Sequence, residues 1–159
     1  MKRRELFSSL VSSFKKDEKQ EKILRPPYHK NESIFFTNCK DCEGLCATVC
    51  EENIIFIQED FTPKLDLSFS GCTYCNECAI ACPNEVLQVE HKKNINAKIE
   101  IDILNCLSWN KTMCFSCKDP CLDNAIDFLA MFRPSINSNC TACGFCIKSC
   151  PTNAMKIIS

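Results

Sequence analysis

Glycine and histidine are scarce in this chain: of 159 residues, three are Gly and two are His. Gly44, Gly71 and Gly144 stand far apart, so neither G-x-G-x-x-G nor G-x-x-x-x-G-K followed by Ser or Thr can be assembled, and nucleotide-cradling loops of those kinds are excluded. His29 and His91 alone do not furnish a His-rich catalytic metal site or a haem-rich carrier. Long apolar runs are missing as well: no stretch approaches the roughly 18 residues that a membrane-crossing helix needs. Behind Arg3 and Arg4 the sequence is broken by Ser pairs and closed by Lys15 and Lys16. It holds neither the apolar run of roughly 7–15 residues nor the small-residue cleavage site of an export signal, so the expected compartment is the cytoplasm. Ordinary apolar side chains are also few, because the 45% hydrophobic content includes 16 Cys, and without them it is about 35%. That is thin for a packed core.

What the chain has instead is cysteine, at about a tenth of all residues. In a reducing cytoplasm sixteen thiols are poorly used as disulfides, and metal is the better use. They fall in four groups of four: Cys39, Cys42, Cys46, Cys50; Cys72, Cys75, Cys78, Cys82; Cys106, Cys114, Cys117, Cys121; and Cys140, Cys143, Cys146, Cys150. The first members are 33, 34 and 34 residues apart, the mark of one supersecondary unit used four times. The repeat extends past cysteine, since each last Cys is followed at the third position by Asn or Glu (Asn53, Glu85, Asn124, Asn153) and then by two apolar residues.

The second and fourth groups are C-x2-C-x2-C-x3-C-P, ending at Pro83 and Pro151. This is the bacterial [4Fe–4S] run, in which three close thiolates hold one cubane and the fourth Cys ligates a neighbouring cluster. A tetrahedral zinc site more often joins two separate C-x2-4-C pairs than three Cys within seven residues. Group one widens its middle gap by one residue near Gly44 and has Glu51 where Pro would stand; group three widens its first gap to seven residues, Leu107 to Met113, and is followed by Leu122. Inserted residues can bulge outward while the sulfurs keep their places, so four [4Fe–4S] clusters are expected on all sixteen Cys, with three as the alternative count. Cross-completion leaves two pairings open: motif one with two and three with four, or a nested pairing of one with four and two with three. Four clusters would add about −8 to the sequence charge of −1, giving roughly −9, which excludes nucleic acid as a partner. No nucleophile–base pair or carboxylate cluster points to an enzyme.

Apolar residues at 6, 7, 10, 11 and 14 recur at helical spacing, so residues 1–16 are expected to form an amphipathic helix, serving either as a flap on the protein's own body or as a docking arm. Residues 1–22 carry seven Lys/Arg against four Asp/Glu, net +3. Short strands are expected over Ile54–Gln58, Lys64–Phe69, Val86–Glu90, Lys98–Ile103, Ala125–Phe128 and Ala154–Ile158. The expected fold is α+β, ferredoxin-like: two tandem 2[4Fe–4S] halves at 34–95 and 96–159, after an N-terminal helix and linker at 1–33. His29 and His91 are expected to be solvated, and Trp109, Phe115 and Phe145 to shield clusters.

Beyond its cysteines the sequence resembles the NapF-type ferredoxins, accessory proteins of the periplasmic nitrate reductase system. The resemblance rests on Arg3-Arg4, Arg25-Pro26-Pro27-Tyr28, Phe35 and Phe36 before Cys39, Cys50-Glu51 without Pro, the gap from Cys106 to Cys114, and Phe132-Arg133-Pro134. The three-residue gap from Cys42 to Cys46 departs from the usual two. The resemblance implies a cytoplasmic protein that contacts the molybdenum-containing catalytic subunit of nitrate reductase before export, to donate electrons or to assist its maturation. Two other roles fit the cysteines: an electron-wiring subunit of a larger oxidoreductase, and a binding chaperone whose clusters are structural.

Overall fold

The computed structural model describes residues 22–159. The helix expected over 1–16, and the docking arm it would form, lie outside the described residues. Among the described residues three two-stranded antiparallel ladders and four short α-helices frame the cysteine loops. Strand β1 (Ile55–Ile57) pairs with β2 (Pro63–Leu65), and β4 (Ile126–Leu129) with β5 (Phe132–Ile136). Strand β3 (Lys98–Ile101) pairs with the C-terminal β6 (Met155–Ile158), tying together the two ends of the second half of the chain. Alternation sets the faces: Ile99 and Met155 turn into the core, while Glu100 and Lys156 face each other outside as an opposite-charge cross-strand pair.

Helix α1 spans Ser33–Asn38, and α2 (Leu45–Thr48), α3 (Glu77–Ile80) and α4 (Phe145–Lys148) are single turns. One turn cannot persist alone. Each of the three single turns is entered from a left-handed residue, Gly44, Asn76 or Gly144, and each carries the third Cys of its motif at its second position. The residue three past each final Cys is left-handed too: Asn53, Glu85, Asn124 and Asn153 have φ of 52°, 53°, 49° and 52°. All four donate their N–H to the carbonyl of that Cys. The repeated Asn or Glu thus marks one turn used four times, and Asn suits it because it tolerates this backbone best after Gly. Asn153→Val should cost about 1–2 kcal/mol through that backbone strain alone, read as earlier loss of visible absorbance in a urea series.

The first half departs from expectation where a charged linker was foreseen. Arg25, Pro26, Pro27, Tyr28 and His29 are all buried. Pro27 and Tyr28 lie beside the chain after Cys82, the Tyr28 carbonyl accepting the Gln88 N–H at 2.8 Å and the Pro27 carbonyl the Lys93 N–H at 2.9 Å, while just before them the Leu24 carbonyl accepts the Leu65 N–H of β2 at 2.8 Å. Two prolines without N–H can only accept along this edge, so no two-way ladder forms. The expected strand Val86–Glu90 is accordingly absent; Val86 and Leu87 are buried in irregular backbone that leads into a 3-10 turn at Val89–His91.

Arg25 anchors the segment, donating from Nη1 to Thr62 Oγ1 (2.7 Å), the Pro63 carbonyl (2.6 Å) and Gln58 Oε1 (3.2 Å), with its guanidinium over Phe35 and Phe36. Arg25→Ala should cost about 1–3 kcal/mol by leaving the Pro63 carbonyl without its donor, with added loss of stem packing. Urea-induced release of the first half, followed by proteolysis after Phe61, is the readout.

Candidate metal centre

The fold brings the sixteen cysteines into four cages, each made of three thiols from one motif and the last thiol of a sequence neighbour. Cys39, Cys42 and Cys46 line one pocket with Cys82, closed by Pro63, Val86 and Leu87. Cys72, Cys75 and Cys78 line another with Cys50, closed by Pro26, Pro27, Tyr28, Ile54 and Leu65. Cys140, Cys143 and Cys146, of the fourth motif, line the fourth cage with Cys121, closed by Ile99, Ile126 and Ile136. In the remaining cage the thiol of Cys117 lies within electrostatic reach of Cys106, Cys114 and Cys150. The arrangement is the adjacent pairing, one with two and three with four, and the nested pairing is not the one adopted.

Among the described residues no three His, Cys, Asp or Glu side chains converge tightly enough to hold a single metal ion. The thiols of each cage therefore stand apart around a shared space, unlike sulfurs held about 2.3 Å from one zinc. Corners of a multi-atom cube require such spacing, because iron and sulfide lie between the thiolates. The donor set fits as well. Burial pushes the thiols up, to about 12 at Cys46, Cys78 and Cys146 and to about 11 at Cys39, Cys72 and Cys117. Without a cation these groups stay protonated; iron is what makes thiolates favourable there.

Backbone N–H groups already point at the cross-completing sulfurs. Leu87, Ala125 and Ala154 donate to the Sγ of Cys82, Cys121 and Cys150 at 3.5, 3.3 and 3.1 Å. Burial raises Cys150, but donors from Thr152, Met155 and Ala154 outweigh it and bring that thiol below its ordinary range. Such bonds are ready to stabilise ligated thiolates.

The two irregular motifs keep this geometry. In motif one the extra residue is Glu43, exposed and placed before left-handed Gly44, so Cys46 still occupies the second position of its helical turn. In motif three the seven-residue gap folds on itself: Ser108 is buried and donates to the Cys114 carbonyl, and Asn110 Nδ2 donates to the carbonyls of Ile103, Leu104 and Cys106. This motif has isolated hydrogen-bonded turns, Asn110 N–H to the Cys106 carbonyl and Asp119 N–H to the Phe115 carbonyl, in place of the short helix of the other three.

Cages adjoin in an order that differs from sequence. Cys46 lies within reach of Cys78, joining the first cage to the second, and Cys117 lies within reach of Cys146, joining the third to the fourth. The two halves of the chain meet where Cys72 donates its N–H to the Cys143 carbonyl at 2.7 Å and Tyr74 donates its hydroxyl to the Thr141 carbonyl at 2.6 Å. The order is first, second, fourth, third, with the two irregular motifs at the ends.

Two expectations need correction here. His29 is buried, packs on Phe35 and donates from Nδ1 to the Pro26 carbonyl at 2.7 Å; burial lowers its pKa, so the ring is neutral and structural. Trp109 is more than one-third exposed, with Arg133 over its ring and Nε1 donating to the Pro134 carbonyl, so it props the β4–β5 hairpin from outside. Sequence reading missed Arg25 and Tyr28 as parts of the site, although their Pro-Pro spacer and aromatic were visible.

Comparison with known proteins agrees with the cysteine geometry. Residues 135–156 match the 4Fe-4S binding domain family. The chain is 32% identical over 137 residues to the ferredoxin-type protein NapF of Escherichia coli strain K12, covering 83% of this chain and 82% of that one. It is 33% identical over 155 residues to NapF of Haemophilus influenzae, covering 94% and 87%. Similarity extends to the ferredoxin-type protein NapG of E. coli K12, at 29% over 152 residues, 80% of this chain and 65% of that one.

Proposed function

This chain belongs to the NapF family of ferredoxin-type proteins, and on that premise we propose that it is a cytoplasmic carrier of four [4Fe–4S] clusters that serves the catalytic subunit of periplasmic nitrate reductase before export. The observation that carries the reading is the cross-completion of every cage by the neighbouring motif's last Cys. Two tandem ferredoxin-type units, 34–95 and 96–159, account for it, with residues 22–33 packed into the first. All sixteen Cys are iron ligands in this reading. When bound, the clusters supply reversible one-electron chemistry.

The chain's own residues do the rest. Leu65, Leu87 and Tyr28 close the first two cages against water, and Ile99 and Ile126 close the fourth. The N–H donors at Cys82, Cys121 and Cys150 hold the cross-completing sulfurs in place. The contact at Cys72 and Cys143 fixes the distance between halves. The linear order of cages favours electron delivery over a purely structural role for the clusters, since a scaffold has no need of a row. The N-terminal segment is the proposed dock for the partner.

The test is binding of the anaerobically purified, iron-loaded chain to the catalytic subunit collected from cytoplasm and, separately, from periplasm. Transient binding to the cytoplasmic form alone, lost on deleting residues 1–16 with iron retained, is the expected result. A stable stoichiometric complex would point to a wiring subunit, and clusters that cannot be reduced would point to a chaperone; either outcome overturns the proposal.

A further inference from the structure

Tyr28 presents a hydroxyl with no acceptor among the described residues to receive it. The side chain is 1% exposed and walls the cage of Cys50, Cys72, Cys75 and Cys78. Its hydroxyl finds no acceptor among the described residues, although the Asn76 backbone N–H points at its oxygen. A buried hydroxyl left unpaired forfeits its hydration without return, so native structures rarely tolerate one without a reason. The nearby Asn76 Oδ1 is also buried and unpartnered, so the two do not satisfy each other. A second tyrosine, within the second motif, shows the contrast: Tyr74 donates to the Thr141 carbonyl and accepts the Ile95 N–H at 3.1 Å.

We propose that the Tyr28 hydroxyl donates a hydrogen bond to a sulfur of the cluster held by Cys50, Cys72, Cys75 and Cys78, and that this bond raises the reduction potential of that cluster. The inference rests on the reading of this cage as a [4Fe–4S] site. One-electron reduction adds a negative charge to the cluster, and a donor aimed at its sulfurs stabilises the reduced form more than the oxidised one. The fourth-motif cage has apolar Ile99 and Ile126 in its wall. The Pro26-Pro27 spacer holds Tyr28 in place, since its fixed backbone leaves little freedom at that edge.

The experiment is an EPR-monitored redox titration of the full iron-loaded chain and its Tyr28→Phe variant. The expected result is unchanged iron content with one cluster harder to reduce by about tenfold in its equilibrium, about 59 mV for one electron, and the others unmoved. Incorporating 3-fluorotyrosine at position 28 of the intact chain keeps the shape and strengthens the donor, so the same cluster should become easier to reduce. This second arm decides the matter if the Phe variant loses iron. Four unmoved potentials in the fluorotyrosine protein would overturn the proposal. Zinc in the cages would instead overturn the reading of the site, and metal analysis distinguishes the two failures.

Discussion

Replacing Cys50 by Ala should remove the iron held by Cys72, Cys75 and Cys78 and leave the iron held by Cys39, Cys42 and Cys46 in place, although Cys50 belongs to the first motif. Cys50 lines the second cage, where its charge is felt at both Cys72 and Cys78. The first cage is completed from the other direction by Cys82. Double variants separate this from any rival pairing, because two changes in one unit do not add whereas changes in separate units do. Cys50→Ala with Cys75→Ala should lose no more iron than either change alone, about four atoms per chain. Cys50→Ala with Cys42→Ala should lose about eight. In a nested arrangement Cys50 would complete the cage of Cys140, Cys143 and Cys146, and its loss would be non-additive with Cys143→Ala instead.

The second large effect is expected at Gly71. A Cβ there would lie 2.6 Å from the backbone nitrogen of Phe145 and 2.7 Å from its ring. Backbone cannot yield as a flexible side chain does, so Gly71→Val should push the two halves of the chain apart at the one place where Cys72 donates to the Cys143 carbonyl. Overpacking of this kind costs about 1–3 kcal/mol. Lys148 Nζ donates to Ser70 Oγ, which in turn bonds Glu52, so the same movement strains a polar tie between the halves. Each half keeps its own cages, because no cage draws thiols from both. The variant should therefore retain its iron while losing magnetic coupling between the clusters of the second and fourth cages, seen as narrowed EPR lines in the fully reduced protein. Retained coupling would show that the halves communicate elsewhere. Gly144→Ala, which places a Cβ 2.9 Å from Leu67 Cβ at a φ of +93°, should act in the same direction.

The cysteine architecture was legible in the sequence because metal ligation imposes spacing directly on the chain. Four groups on one period, an extra residue near Gly44 and a shared Asn or Glu after each last Cys all follow from residue order; that the extra residue is Glu43 and that the Asn or Glu is left-handed are seen only in the fold. The ladders were legible to within a residue or two where both edges can donate and accept, as at Ile55–Ile57 and Met155–Ile158. Two elements were not. The segment from Arg25 to His29 has the charge and prolines of a linker, and only tertiary packing against Phe35, Thr62 and Gln88 shows it as a wall of the site. Strand β5 hides behind Pro134, which is tolerated because it faces Phe128 in an isolated two-stranded ladder with a bulge. Arg133 and the turn residues Ala130 and Met131 have positive φ, a backbone irregularity that composition does not signal.

On the proposed reading four cages, each cross-completed by a neighbouring motif, hold four cubanes. Its most direct test is the metal and sulfide content of the chain purified without oxygen, with Mössbauer spectra of the same sample. About sixteen iron and sixteen inorganic sulfide per chain, all in [4Fe–4S] sites, is the predicted result. Zinc in place of iron, or about twelve iron per chain with one motif left out, would contradict it.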